Sequence, residues 1–549
     1  MAVCAAALVS AAHAIPEGPA PNTPEWAQRE SANYAKTSEA PNEQGAPAFQ
    51  QGLQTQNVTN QQTWLGRIAG DSSWLGGTSG NTEVTPVCTS WMQQCAGDPF
   101  RYPNVTGPDG SAFYQTEAEV VPFVIYDQDC ARLNGRVWSP KGAGQGGTPL
   151  LPGIVLETGS IQAPEPLYWW MAQALVRQGY VVLTFDVRGQ GRSDQQSPAG
   201  KQGSNADSTV FWFNLVNTID FFRSNPVAPY PHNVTCKASY PTQTTAFNPF
   251  HARIDSQRLG IVGHSLGATG VSVVQSYGAT GAEKWPGKLD MENPVDVIVA
   301  WDSLRAPGPA SGGAPAVVAR VPAMGQTSEY GIGGTAKQQP PDIEGHKGGY
   351  RGWKAANVPV YQFTIQGSTH FEWSLIPTFP STSWCPTVQG GRCVGGYGRP
   401  MAEYYAVAWL DRWLKKPGEK GFDDADARLL NDTGPQGKAK LSFYSKSARA
   451  FPSRDGLFQL CEDIRAGCPA AVAVSTPVPT PATTPSPNPT PDPTPDPAPA
   501  PVSVSVPAPP QASNMGRFGG GSFDGLGLIW LALFAAFRQQ RFALRLPRL

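Results

Sequence analysis

This sequence lacks an excess of either charge: 41 lysines and arginines face 42 aspartates and glutamates, for a formal net charge of −1. A near-neutral chain sets up no field that attracts a nucleic acid or an anionic membrane, so neither is expected as a partner. Histidine is scarce, with six in 549 residues. The nine cysteines include no Cys-x-x-Cys pair and are accompanied by no histidine cluster, which leaves zinc without a ligand set. No phosphate-binding loop or dinucleotide glycine motif is present, so no cofactor is implied. Long apolar runs are missing too. The stretch Leu526 to Phe537 falls short of the roughly 20 residues that a transmembrane helix needs.

Glycine (59) and proline (55) are plentiful, so loops and linkers must take up much of the chain. The sixteen tryptophans suit a large core. Residues 1–14, MAVCAAALVSAAHA, form a short apolar run that ends in a small-x-small pattern, Ala12-His13-Ala14. They read as a signal peptide cleaved after Ala14, with the basic n-region lying upstream of the recorded start. Eight cysteines then remain. Cys88/Cys95, Cys385/Cys393 and Cys461/Cys468 are close in sequence; Cys130 and Cys236 are the remainder that could pair across the fold, and the sequence leaves the connectivity open. An even count in an exported chain reads as disulfides.

Residues 15–116, rich in Gln, Asn, Gly, Ser and Pro, read as an irregular N-terminal extension, with Trp64, Trp74 and Trp91 as points where it docks. From 117 to 469 apolar strands alternate with helical patterns. Strands are expected at 118–126, 153–157, 180–185, 258–262, 295–301, 321–324 and 358–365. Helices are expected near 167–178, 211–224, 266–277 and 401–415, the last with Tyr405, Trp409 and Trp413 at four-residue spacing. The alternation predicts an α/β fold with a mostly parallel central sheet flanked by helices. Residues 470–512 are a Pro/Thr-rich spacer that cannot bury a core. Residues 513–549 join a glycine-rich segment, an apolar stretch and the arginines 538, 541, 545 and 548.

The strongest motif is Gly263-His264-Ser265-Leu266-Gly267, set between an expected strand and an expected helix. Small residues two positions either side of a serine allow the sharp turn that lifts its hydroxyl clear of a sheet. The helix N-terminus then favours developing negative charge, with the Leu266 N–H aimed at an oxyanion. A second run follows the preceding strand: Phe185-Asp186-Val-Arg188-Gly189-Gln-Gly191-Arg-Ser193-Asp194. It is similar to a loop of many α/β-hydrolases, where the Asp and Arg fix the loop. Together the two runs make residues 118 to 416 resemble the α/β-hydrolase superfamily of lipases, esterases and cutinases.

That resemblance implies a serine nucleophile, Ser265, and a histidine base after the last strand. His370 holds the matching position, and Gly367-Ser-Thr-His370-Phe looks like a segment of cutinase-like polyester hydrolases. His346 has no strand leading to it. The acid is expected after the seventh strand, which selects Glu329, with Asp302 after the sixth as the alternative. The loop Glu157-Thr-Gly159-Ser160 resembles the one whose N–H completes an oxyanion hole, which assigns Ser160 beside Leu266. Tyr168, Trp169 and Trp170 are expected in the core, with an acyl pocket as the lesser reading. The segments 226–251 and 306–354 are candidate substrate-shaping loops.

The expected activity is hydrolysis of a small or polymeric carboxylic ester. An amidase, a peptidase or an acyltransferase would use the same triad, and a non-catalytic surface-binding protein could keep the scaffold. The tail resembles the GlyGly-type sorting signal of Gram-negative bacteria. It implies transient inner-membrane anchoring, removal by a rhomboid-like sorting protease, and a route to the cell surface or medium.

Overall fold

The structure is a computed structural model of the chain. It describes residues 19–20, 22–36, 47, 51, 62, 65–74, 113–160, 163–204, 206–311, 313–331, 336–337, 339–374, 387–389, 392–394 and 396–473. All described residues belong to one compact unit that ends at Ala473. The expected signal peptide, most of the Pro/Thr spacer and the C-terminal tail lie outside the described residues.

An α/β domain is built on one eleven-stranded sheet. Its strands are β1 (Ala118–Tyr126), β2 (Arg132–Pro140), β3 (Leu151–Glu157), β4 (Val181–Asp186), β5 (Ile254–His264), β6 (Val297–Trp301), β7 (Ala323–Ser328) and β8 (Val360–Ile365). A separate two-stranded hairpin, β9 (Thr387–Gln389) and β10 (Arg392–Val394), precedes β11 (Ala448–Pro452), β12 (Leu457–Cys461) and β13 (Val472–Ala473). The order in the large sheet is β1-β2-β4-β3-β5-β6-β7-β8-β11-β12-β13.

The sheet is mixed, which corrects the expectation of a mostly parallel one. The centre, from β4 across β3, β5, β6 and β7 to β8, pairs in parallel. Both flanks pair antiparallel. Within each flank β1 and β2, and β11 and β12, follow one another across short turns, and a short turn can only reverse the chain. Asp127 closes one such turn by accepting the N–H groups of Asp129 and Ala131 through its side chain, both at 2.9 Å.

β2 escaped the sequence reading because Arg132, Asn134, Gly135 and Arg136 break its apolar pattern. Each has a tertiary reason. Arg132 is buried against Asp194 at 2.9 Å. A side chain at Gly135 would run into the Thr184 carbonyl and the Phe123 ring. The final strand ends at Ala473, so the sheet continues past the expected boundary at 469.

Helices cover both faces. On one face lie α2 (Trp169–Arg177) and α6 (Gly398–Leu414); α3 (Val210–Arg223), α4 (Leu266–Val274) and α5 (Gly348–Ala355) lie on the other. On α6 the four-residue spacing acts as expected: Tyr405 and Trp409 are buried against Tyr361, and Trp409 also packs on Phe451. β4, β6, β7 and β8 are buried on both faces, as strands between two helical layers must be.

The extension is less irregular than its composition implies. It contains α1 (Pro24–Lys36), begun by Thr23, whose hydroxyl accepts the Trp26 N–H at 3.2 Å. Pro24 at the first helical position suits the start, because its fixed φ is already helical and its missing N–H would have had no partner there. Trp74 docks as expected, with the Arg132 guanidinium 3.6 Å from its ring centroid; Trp64 and Trp91 lie outside the described residues. Two disulfides join Cys130 to Cys236 and Cys461 to Cys468. Cys88, Cys95 and Cys385 lie outside the described residues, as does the side chain of Cys393. The segment 226–251 carries Cys236 and packs on β1, with the Tyr230 hydroxyl donating to the Tyr126 carbonyl at 2.8 Å.

Candidate active site

The turn from β5 into α4 places Ser265 at φ 57°, ψ −118°. A non-glycine residue rarely adopts a positive φ, and the surroundings here leave no alternative. The Ser265 N–H donates to the Trp301 carbonyl at 2.9 Å, tying the turn to β6. A side chain at Gly263 would strike the Gly267 carbonyl, and one at Gly267 would strike the carbonyl of Thr158. The two glycines of the motif are therefore demanded by backbone meeting backbone.

Three side chains converge at the C-terminal ends of β5, β6 and β8. His370 Nε2 stands 2.9 Å from Ser265 Oγ. Its Nδ1 stands 2.6 Å from Asp302 Oδ2. Asp302 also accepts the Ser328 N–H at 2.9 Å and the Ser328 hydroxyl at 2.7 Å. Burial opposes the charge on Asp302. The hydrogen bond and charge of His370, together with Ser328, outweigh it and hold the carboxyl well below the usual carboxylate range.

Glu329, the first choice for the acid, does not face His370. It is buried elsewhere, accepting the Gly367 N–H at 2.6 Å and the Ser442 hydroxyl. Burial pushes its carboxyl up, against those two hydrogen bonds. The physical reason is the end of β7. Ser328, its last residue, spends both donors on Asp302, and the chain then carries Glu329 toward Gly367. The alternative acid, Asp302, sits one residue past β6, in the apolar-strand-then-carboxylate pattern of Ala300-Trp301-Asp302.

Leu266 is the first residue of α4, where helical N–H groups have no acceptor within the helix. The loop after β3 lies against the serine: a side chain at Gly159 would sit 3.3 Å from Ser265 Cβ. Ser160, the next residue, is half-buried in that loop. Gln190 braces it, donating to the Gly159 carbonyl at 2.8 Å and accepting the Ala163 N–H at 3.0 Å. Asp186 and Arg188 have structural ties as expected. Asp186 accepts the Glu165 N–H at 2.7 Å, and Arg188 pairs with Asp127 at 2.8 Å. The structural use of Gln190 was not foreseen, because nothing in the spacing says which loop its amide reaches.

Trp170 is buried and stacks on Trp301, with ring centroids 5.6 Å apart. Tyr168 is fully buried too, and its hydroxyl stands 2.8 Å from His264 Nδ1. Trp169 is half-buried against Trp138. His346 is engaged with the Thr364 hydroxyl at 3.1 Å. Among the described residues no group of three or more His, Cys, Asp or Glu side chains is placed to hold a metal, and no helix is long and apolar enough to cross a membrane. No protein-family model matches this chain, and no curated protein matches it.

Proposed function

We propose that this chain is a serine hydrolase of the α/β-hydrolase type that cleaves carboxylic esters through an acyl-enzyme. The observation that carries the reading is the continuous contact from Ser265 Oγ through the His370 ring to Asp302, with distances of 2.9 and 2.6 Å. A hydroxyl within reach of an imidazole, itself oriented by a carboxylate, is the arrangement that turns serine into a nucleophile. Its setting on a strand-to-helix turn, in the chain order Ser265, Asp302, His370, supports the hydrolase type.

In this mechanism His370 Nε2 takes the proton as Ser265 Oγ attacks the ester carbonyl. Asp302 holds the Nδ1–H tautomer and stabilises the imidazolium. The oxyanion is received by the N–H groups of Leu266 and Ser160. His370 then protonates the departing alcohol, and water attacks the acyl-enzyme with His370 as base. The substrate is a small or polymeric ester. Two disulfides support an oxidising compartment, and with the N-terminal and C-terminal signals they favour export.

The test is hydrolysis of short and medium p-nitrophenyl esters by the full chain beside Ser265→Ala, with fluorophosphonate labelling of both. Activity and labelling that vanish together in the variant establish the esterase. Labelling without ester turnover indicates an amidase or acyltransferase. A wild-type chain that neither labels nor turns over is a binding protein.

A further inference from the structure

His264 precedes the serine and takes no part in the proton transfers above, yet it is buried at the centre of the site. Its ring lies 4.8 Å from the His370 ring and 5.9 Å from Trp373, centroid to centroid. Both nitrogens are engaged. Nε2 stands 2.8 Å from the His370 carbonyl oxygen, and Nδ1 stands 2.8 Å from the Tyr168 hydroxyl. That hydroxyl also accepts the Gly159 N–H at 2.9 Å.

The proton positions follow from what each group can do. A carbonyl can only accept, so Nε2 carries the proton. In a neutral imidazole Nδ1 must then accept, so the Tyr168 hydroxyl donates to it and accepts from Gly159. The direction is single along the chain: Gly159 N–H to Tyr168, Tyr168 O–H to His264, His264 Nε2–H to the His370 carbonyl. A cationic His264 would have a second N–H facing Tyr168 and would force that hydroxyl to turn away from it. Burial, with the neighbouring His370 charge, lowers His264 to about 3, so the ring stays neutral wherever the enzyme works. Burial pushes the Tyr168 phenol up, which keeps its proton in place.

The two ends of this chain carry the chemistry. Gly159 immediately precedes Ser160, the expected oxyanion donor, and abuts Ser265. The His370 carbonyl belongs to the peptide that carries the general base. We propose that Tyr168 and His264 are positioning residues, a neutral hydrogen-bond relay that locks the backbone of the general base to the backbone of the oxyanion loop. The imidazole of His264 spans the gap with an acceptor at one edge and a donor at the other, on a ring that cannot flex. The relay rests on the serine-hydrolase reading of the site. It adds that acid–base group and oxyanion donor are held in register by a single element, so loosening either end displaces both from the reacting carbonyl. A misplacement of about 1 Å in a catalytic array costs on the order of 100-fold in rate.

The full chain is compared with Tyr168→Phe, His264→Leu and His264→Gln in p-nitrophenyl butyrate hydrolysis, fluorophosphonate labelling rate and thermal unfolding. Tyr168→Phe and His264→Leu are expected to lower kcat about 10- to 100-fold and to slow labelling in step, with KM within about twofold. His264→Gln keeps an amide N–H for the His370 carbonyl and is expected to recover most of that loss. In Tyr168→Phe, the low-field NMR signal of the proton between His370 Nδ1 and Asp302 is expected to shift or broaden. Tyr168→Phe deletes a single oxygen and decides the matter should His264→Leu yield no folded protein. A folded Tyr168→Phe with kcat and labelling within about twofold of wild type overturns the relay, as does a loss that falls on KM alone. Failure of the underlying reading is told apart by the wild type: a chain that neither labels nor turns over ends both proposals.

Discussion

Asp302, one residue beyond β6, reaches across β7 to His370, five residues beyond β8, and its Oδ2 lies 2.6 Å from the imidazole Nδ1. Ser328, at the end of the intervening β7, donates its N–H and its hydroxyl to the same carboxylate. Three strand ends therefore fix one hydrogen bond. The acid is aimed by the sheet and not by its own loop.

The choice between two carboxylates is open to direct test. Asp302→Asn is expected to lower kcat by about 10⁴-fold, because an amide there favours the wrong imidazole tautomer. Glu329→Gln is expected to keep kcat within about tenfold while lowering stability by about 1–2 kcal/mol, since it disturbs the Ser442 and Gly367 contacts alone. Steady-state kinetics on both variants, with denaturant unfolding, checks the assignment. Equal losses of kcat in the two would reject Asp302.

Acid sensitivity should carry the signature of His264. Its ordinary value is 6.5 and the folded chain holds it at about 3, so the unfolded chain binds a proton that the folded chain refuses. The stability due to neutral His264 is therefore full above about pH 6.5 and falls progressively as the pH drops toward 3. The full difference is on the order of 5 kcal/mol. The groups facing the ring are Tyr168, His370 and, through its charge, Asp302. Urea midpoints from pH 7 to pH 4 should fall less steeply for His264→Gln than for wild type. Parallel slopes would show that His264 does not titrate this way.

The N-terminal extension should contribute to the integrity of the site. Glu30 on α1 is buried and accepts the Tyr330 hydroxyl at 2.8 and 2.9 Å, the Tyr444 hydroxyl at 2.5 Å and the Lys337 N–H at 2.8 Å. Gly331, the residue after Tyr330, accepts the His370 N–H at 3.0 Å. Glu30→Ala removes the acceptor of two buried hydroxyls and one part-buried N–H and is expected to cost on the order of 3 kcal/mol. Denaturant unfolding measures that cost, and a variant as stable as wild type would show that α1 is dispensable.

The two disulfides should differ in worth. Cys130–Cys236 closes a separation of 106 residues and Cys461–Cys468 one of 7. Loop-closure entropy assigns about 5 kcal/mol to the first and about 2 kcal/mol to the second. Replacing each pair by alanine and comparing unfolding free energies tests the order; a reversed order would place strain or local packing above chain entropy.

Local chemistry in this chain was legible where it depends on neighbours in sequence. Gly263-His264-Ser265-Leu266-Gly267 announced its turn because the steric demand lies within five residues. The central strands were legible because burial on both faces leaves continuous apolar runs, as in Val181 to Phe185. β2 was not, since its Arg132 and Gly135 make sense only beside Asp194, Thr184 and Phe123. The helix α1 was not either, since the composition around it is polar and the residues that meet its Trp26 and Glu30, Tyr330 and Tyr444, lie far away in sequence.

By itself, the sequence determined the α/β alternation, the serine on its strand-to-helix turn and the histidine after β8, all features of local sterics and periodicity. Tertiary structure alone decided the mixed character of the sheet, which of Asp302 and Glu329 stands against His370, and the contacts of His264 and Gln190. Each of those depends on which side chains meet across strands far apart in sequence, and linear spacing does not encode the direction in which a strand end delivers its carboxylate.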